Sequence, residues 1–124
     1  MSEKVRKIYQ KLNTWYELFK DVETLERHIL DNHPYLTSIP ELTIGDYEKI
    51  KRFLKKRNVP TKEIENLIIH YETQRREFKK DVTKYQNSQE EANKTCYRSS
   101  AIKRFQRLKS FIKKILETID ANWR

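Results

Sequence analysis

The sequence predicts an all-α fold, an antiparallel bundle of three long helices and one short helix, forming a single domain over residues 1–124. Three observations predict it. Apolar side chains recur at alternating steps of three and four residues in three separate segments. Turn formers are scarce, with one Gly and three Pro, whereas a sheet-rich chain needs many turns. Hydrophobic and charged residues each make up 36% of the chain, which suits long amphipathic helices with narrow apolar stripes. A chain this polar invites comparison with disordered segments. Two Trp, seven Tyr and five Phe, regularly spaced, argue for a packed core instead.

The first helix is expected over residues 3–30. Val5, Ile8, Leu12, Trp15, Phe19, Val22 and Ile29 make its stripe, with Glu26 where an apolar residue would continue it. Ser2 is a candidate cap, and Tyr9, Tyr16, Leu18 and Leu25 flank the stripe. Asn32-His33-Pro34 ends the helix, because the residue before a proline is pushed out of the helical region. A connector over residues 31–43 carries Tyr35, Leu36, Ile39 and Leu42, apolar enough to pack on the bundle.

Thr43 or Gly45 opens the short helix, which runs to about Arg57 with Tyr47, Ile50 and Leu54 inward. Asn58-Val59-Pro60 is a tight break, and Thr61 is placed to cap the third helix. That helix runs to about Asn87 on a seam of Ile64, Ile68, Tyr71, Phe78, Val82 and Tyr85, with Arg75 in the vacant seam position. Glu26 and Arg75, both polar intrusions into apolar seams, are expected to pair with each other. The polar stretch 86–100 breaks the heptad frame and is expected to contain a turn, with Ser88 as an early cap for the last helix or Ser99 or Ser100 as a late one. Ala101, Phe105, Leu108, Ile112, Ile115 and Ile119 form the seam of the last helix, which runs to about Asn122. Strict three-four spacing also permits self-association as a coiled coil, hence a homo-oligomer. Packing within the chain is the simpler account.

Charge is segregated along the chain, whose net charge is +9. Residues 49–62 hold seven basic residues and no acid: Lys49, Lys51, Arg52, Lys55, Lys56, Arg57 and Lys62. Residues 92–116 hold eight and no acid: Lys94, Arg98, Lys103, Arg104, Arg107, Lys109, Lys113 and Lys114. The rest of the chain has 12 basic against 18 acidic residues, a net of −6. Such segregation points to a polyanionic partner. On a helical wheel of the last helix, Lys103, Arg107 and Lys114 lie opposite the seam, with Arg104 and Phe111 on the flank. Such a stripe would neutralise phosphates, with Phe111 offering a ring for base stacking.

The function expected is therefore non-enzymatic binding of nucleic acid, DNA or RNA, through its phosphate backbone. Lys51, Arg52, Lys55, Lys56, Arg57, Lys103, Arg104, Arg107, Lys113 and Lys114 are the expected contacts. An accessory subunit of a nucleoprotein complex fits this reading, as does a small viral or plasmid regulator. The alternative is a protein–protein adaptor or inhibitor that docks a basic helical face on an acidic partner. The short helix, the Asn58-Val59-Pro60 break and the third helix also have helix-turn-helix spacing. Glu63 and Glu65 at the head of the third helix disfavour groove entry there, so backbone contact by Lys49–Lys62 is the expectation.

One nine-residue stretch, Arg27-His28-Ile29-Leu30-Asp31-Asn32-His33-Pro34-Tyr35, has an Arg and a His separated by five residues. It resembles the Arg–x4-6–His signature of HEPN-domain ribonucleases, which are also helical bundles. The resemblance implies that Arg27 would stabilise phosphate charge and His33 would act in acid–base cleavage at a ribose hydroxyl. In that family the motif lies late in the domain, whereas here it closes the first helix. The reading kept is a helix end, with no catalytic residue. Three His and one Cys offer no paired metal-ligand spacing, and no glycine-rich phosphate loop exists, so no metal or cofactor is expected. Lone Cys96, the lack of a signal-peptide core and the lack of a long apolar run make an intracellular setting, cytoplasmic or nucleoid/nuclear, the expectation, with no membrane partner.

Overall fold

The structure, a computed structural model, describes residues 3–18, 23, 25–27 and 39–123. Among them are four helices and no strand: α1 (Glu3–Leu18), α2 (Ile44–Lys55), α3 (Lys62–Asn87) and α4 (Glu91–Ala121). The protein is an antiparallel all-α bundle. Residues 25–27 are also helical, and Leu25 is fully buried. The expectations placed on Ser2, Phe19, Val22, His28, Ile29, Asn32, His33, Pro34, Tyr35 and Leu36 lie outside the described residues.

The described part of each long-helix seam read from the spacing faces the core. Val5, Ile8, Leu12 and Trp15 of α1 are buried, as are Ile64, Ile68, Tyr71, Phe78, Val82 and Tyr85 of α3. The six seam residues of α4, from Ala101 to Ile119, have no exposed surface at all. Ile39 and Leu42 of the connector are buried with them. The seams thus meet one another within the chain. Trp15 of α1 sets its ring edge-on to Phe105 of α4 at 5.9 Å, and Phe105 lies 6.5 Å from Phe78 of α3. Such offset contacts suit the quadrupoles of the rings.

Contacts along the helices fix their directions. Residue pairs Asp81–Arg104 and His70–Phe111 run opposite ways along α3 and α4. Tyr9–Asp120 and Trp15–Phe105 do the same for α1 and α4. The start of α2 meets the middle of α1 through Lys11–Asp46 and the middle of α3 through Leu42–Glu72. Its far end packs Phe53 on Trp123, just beyond α4. Among the described helices the extensive packing is between α3 and α4; α1 packs on α4 and α2 over smaller areas, and α2 touches α3 lightly. The helices therefore stand in chain order around a ring, and α2 and α4 occupy opposite corners.

Three expectations need correction. The turn expected in the polar stretch 86–100 is present at its early end, but the serines expected to cap the last helix do not do so. Only Ser88, Gln89 and Glu90 separate α3 from α4, and neither Ser88, Ser99 nor Ser100 caps the new helix, whose N-cap is Glu90 without a side-chain cap bond. The stretch is polar because it packs mainly on the outer end of α3. There the contacts are Lys94 over the Tyr85 ring, Lys84 over the Tyr97 ring, and Ser100 donating to Asp81 at 2.6 Å. Second, Glu26 and Arg75 do not pair. Arg75, 8% exposed, makes two 2.9 Å bonds to Glu72 one turn earlier, while Glu26 meets Arg98 of α4 at 3.3 Å. Burial works against the Arg75 charge, and the adjoining Glu72 carboxylate more than offsets it. Third, Thr61 precedes α3 as expected, but its hydroxyl caps nothing.

Candidate nucleic-acid interface

Two helices carry the acid-free segments. Thr43 starts α2 by accepting a hydrogen bond from the Asp46 N–H at 3.1 Å, while the Asp46 carboxylate accepts from the Thr43 N–H at 3.0 Å. This reciprocal cap fixes the rotation of α2, burying Ile50, Phe53 and Leu54 and turning Arg52, Lys55 and Lys56 outward. The helix ends where Asn58 adopts a left-handed conformation (φ 57°), which an Asn side chain tolerates. Lys62, at the start of α3, is also exposed.

Burial alone would raise the Asp46 carboxyl pKa. The Thr43 N–H and the Lys11 ammonium, 3.2 Å away, together hold it below its ordinary value. Asp46 thus ties the rotation of α2 to α1 through a charged group.

On α4 the eight basic residues divide by position on the wheel. Four of them are engaged inside the molecule. Arg104 reaches across to α3, donating to Asp81 at 2.9 Å and to Gln74 at 3.2 Å, with Glu77 3.9 Å away. Arg98 meets Glu26, Lys109 lies 4.9 Å from the Tyr16 ring, and Lys94 covers Tyr85. The other four, Lys103, Arg107, Lys113 and Lys114, are exposed. They make no ion pair among the described residues. From Lys103 to Lys114 the face extends about 16 Å along the helix axis, with no carboxylate on it.

The structure thus separates the ten residues singled out from the sequence. Arg52, Lys55, Lys56, Lys103, Arg107, Lys113 and Lys114 are open to solvent. Arg104 is a strut between α3 and α4. Arg57 sets its guanidinium over the Phe53 ring, 3.8 Å from the centroid, and donates to the Phe53 carbonyl at 3.0 Å. Lys51 is half-buried, 5.6 Å from the Tyr47 ring. Phe111 stacks on His70 with centroids 5.9 Å apart, so its ring serves the α3–α4 contact. Because α2 and α4 stand at opposite corners, their open basic faces look away from each other. They do not join into one track.

Arg27 is exposed, with Glu23 at 4.0 Å, and His33 lies outside the described residues. Among the described residues no cluster of three His, Cys, Asp or Glu forms a metal site, and no helix is long and apolar enough to cross a membrane. Sequence reasoning missed one surface feature, an apolar groove between α2 and α3 in which Ile44 and Ile69 are exposed. Its signal was available: Ile69 falls on the polar side of α3, outside the seam. Comparison with known proteins finds no family model, curated sequence or solved structure that matches the chain.

Proposed function

We propose that this protein binds nucleic acid through its phosphate backbone, without catalysis. The outer face of α4 is the principal surface and the outer face of α2 a second, separate one. The observation that supports this most is the α4 face: four exposed cations, none neutralised by a neighbouring carboxylate, on one side of one rigid helix. Unpaired cations held close together repel one another, and a polyanion relieves that repulsion while releasing its own counterions. The face offers no aromatic ring and no helix end to a base, so binding is governed by charge and shape, with little sequence preference. The residues assigned to it are Lys103, Arg107, Lys113 and Lys114, with Arg52, Lys55 and Lys56 on the opposite side. The setting this implies is the cytoplasm, or the nucleoid or nucleus, wherever DNA or RNA is accessible.

The test is a titration of labelled duplex DNA, single-stranded DNA and RNA at several salt concentrations. If four phosphates are contacted by α4, duplex affinity falls with roughly the −3.6 power of salt concentration. An adaptor that docks the same basic face on an acidic protein instead binds every nucleic acid weakly and shows no distinction among the basic sites.

A further inference from the structure

Ile44 is 83% exposed and Ile69 55%, and the two face each other across a groove of about 400 Å³ between α2 and α3. Neither serves the core. Ile44 is the first residue of α2, and Ile69 points off the α3 seam. Large apolar side chains held together in solvent mark a contact surface. Leu42, Tyr47 and Ile68 complete the apolar lining.

The carboxylates beside the groove oppose in sign the cations of the two acid-free segments. Glu48 follows Ile44 by one turn, and Glu65 precedes Ile69 by one turn. With α2 and α3 antiparallel, both carboxylates fall at the same end of the groove. Neither has an ion-pair partner among the described residues. Glu72, also in the lining, is spent on Arg75, and Arg76 lies towards the other end. A phosphate chain is repelled at Glu48 and Glu65, so this surface does not extend the nucleic-acid face.

The geometry points to a protein partner: an amphipathic helical segment that lays two apolar side chains, one turn apart, against Ile44 and Ile69 and sets a Lys or Arg between Glu48 and Glu65. Docking of a helix into an apolar groove uses such anchors, and the two unpaired carboxylates select a basic segment over an acidic one. The open side of α4 presents Lys103, Gln106, Arg107, Ser110 and Lys114 and no apolar anchor, so that face of a second copy does not fit. This inference stands independently of nucleic-acid binding.

The experiment uses a synthetic array of helical peptides, each with two leucines one turn apart, flanked either by lysines or by glutamates at the same positions. The labelled full chain is applied. Its net charge of +9 favours the glutamate peptides overall, so a preference for the lysine peptides that Ile69→Asp removes reports the groove itself. The expected result is retention on lysine peptides, at least tenfold weaker for Ile69→Asp, whose thermal unfolding and DNA affinity stay unchanged. Glu48→Lys combined with Glu65→Lys should shift the preference to the glutamate peptides. Equal or no retention on the two peptide sets would overturn the inference, as would indifference to Ile69→Asp. So would a wild-type dimer, seen by sedimentation, that Ile69→Asp dissolves, because the groove would then hold a second copy.

Discussion

Arg104 and Arg107 are one turn apart on the same helix, yet the structure gives them opposite duties. Arg104 neutralises Asp81, which is 8% exposed and also accepts from Ser100. Arg107 faces solvent. Arg104→Ala leaves a nearly buried carboxylate short of its cation and is expected to cost about 1–3 kcal/mol in urea unfolding. Arg107→Ala is expected to stay within about 0.5 kcal/mol of wild type while weakening duplex binding more than Arg104→Ala does. A second residue-scale expectation concerns Asp46. Its carboxyl is held below its ordinary value in the folded state, so its contribution is complete above the unfolded pKa of about 4 and is lost as pH falls through the folded value. Acid unfolding curves should show this loss in wild type, and Asp46→Asn should lack that component. Residue duties of this kind were only partly legible in the sequence. A wheel of α4 puts Arg104 on the flank, but the partner that claims it, Asp81, sits 23 positions earlier on another helix. The register between α3 and α4 decides the matter, and no single helix contains that information. The same holds for Arg75, whose partner is one turn away on its own helix and not across the bundle.

Elements were more legible than residues, because periodicity and caps are local. The seams of α1, α3 and α4 follow from spacing alone, and α2 starts after Thr43 as its sequence suggests. The two threonine caps show where such reading needs one more letter. Thr43 is followed three residues later by Asp46, whose carboxylate returns the cap bond. Thr61 is followed by Ile64 at that position, and its own backbone is helical (φ −102°, ψ −7°), which turns its hydroxyl away from the cap geometry. Thr43→Ala is therefore expected to cost about 1 kcal/mol. Thr61→Ala should be close to neutral, the comparison being made by thermal unfolding of the two variants side by side. The choice between an early and a late start of α4 was left open by the sequence for a different reason. Residues 91–100 have few apolar side chains to report a helix, and they hold their form through α3, using Tyr85, Asp81 and Lys84 as partners.

Across the whole molecule, chain order around the ring is what sets the functional geometry. Two acid-free segments on neighbouring helices would make a single broad basic surface. On α2 and α4, which do not pack extensively on each other, they become two separate faces. Charge segregation was visible in the sequence, but its division into two faces needed the packing order. Lys103, Arg107, Lys113 and Lys114 belong to one helix and Arg52, Lys55 and Lys56 to another, so the two faces are expected to act separately. The most direct test is the salt dependence of duplex DNA affinity for wild type, Arg107→Glu with Lys114→Glu on α4, and Lys4→Glu with Lys7→Glu on α1, whose lysines are exposed but lie outside the acid-free segments. Removing two phosphate contacts should flatten the logarithmic slope by about 1.8 for the α4 variant and leave the α1 variant close to wild type, with both folding normally. Equal slopes for the three proteins would contradict the assignment of α4 as the phosphate-binding face.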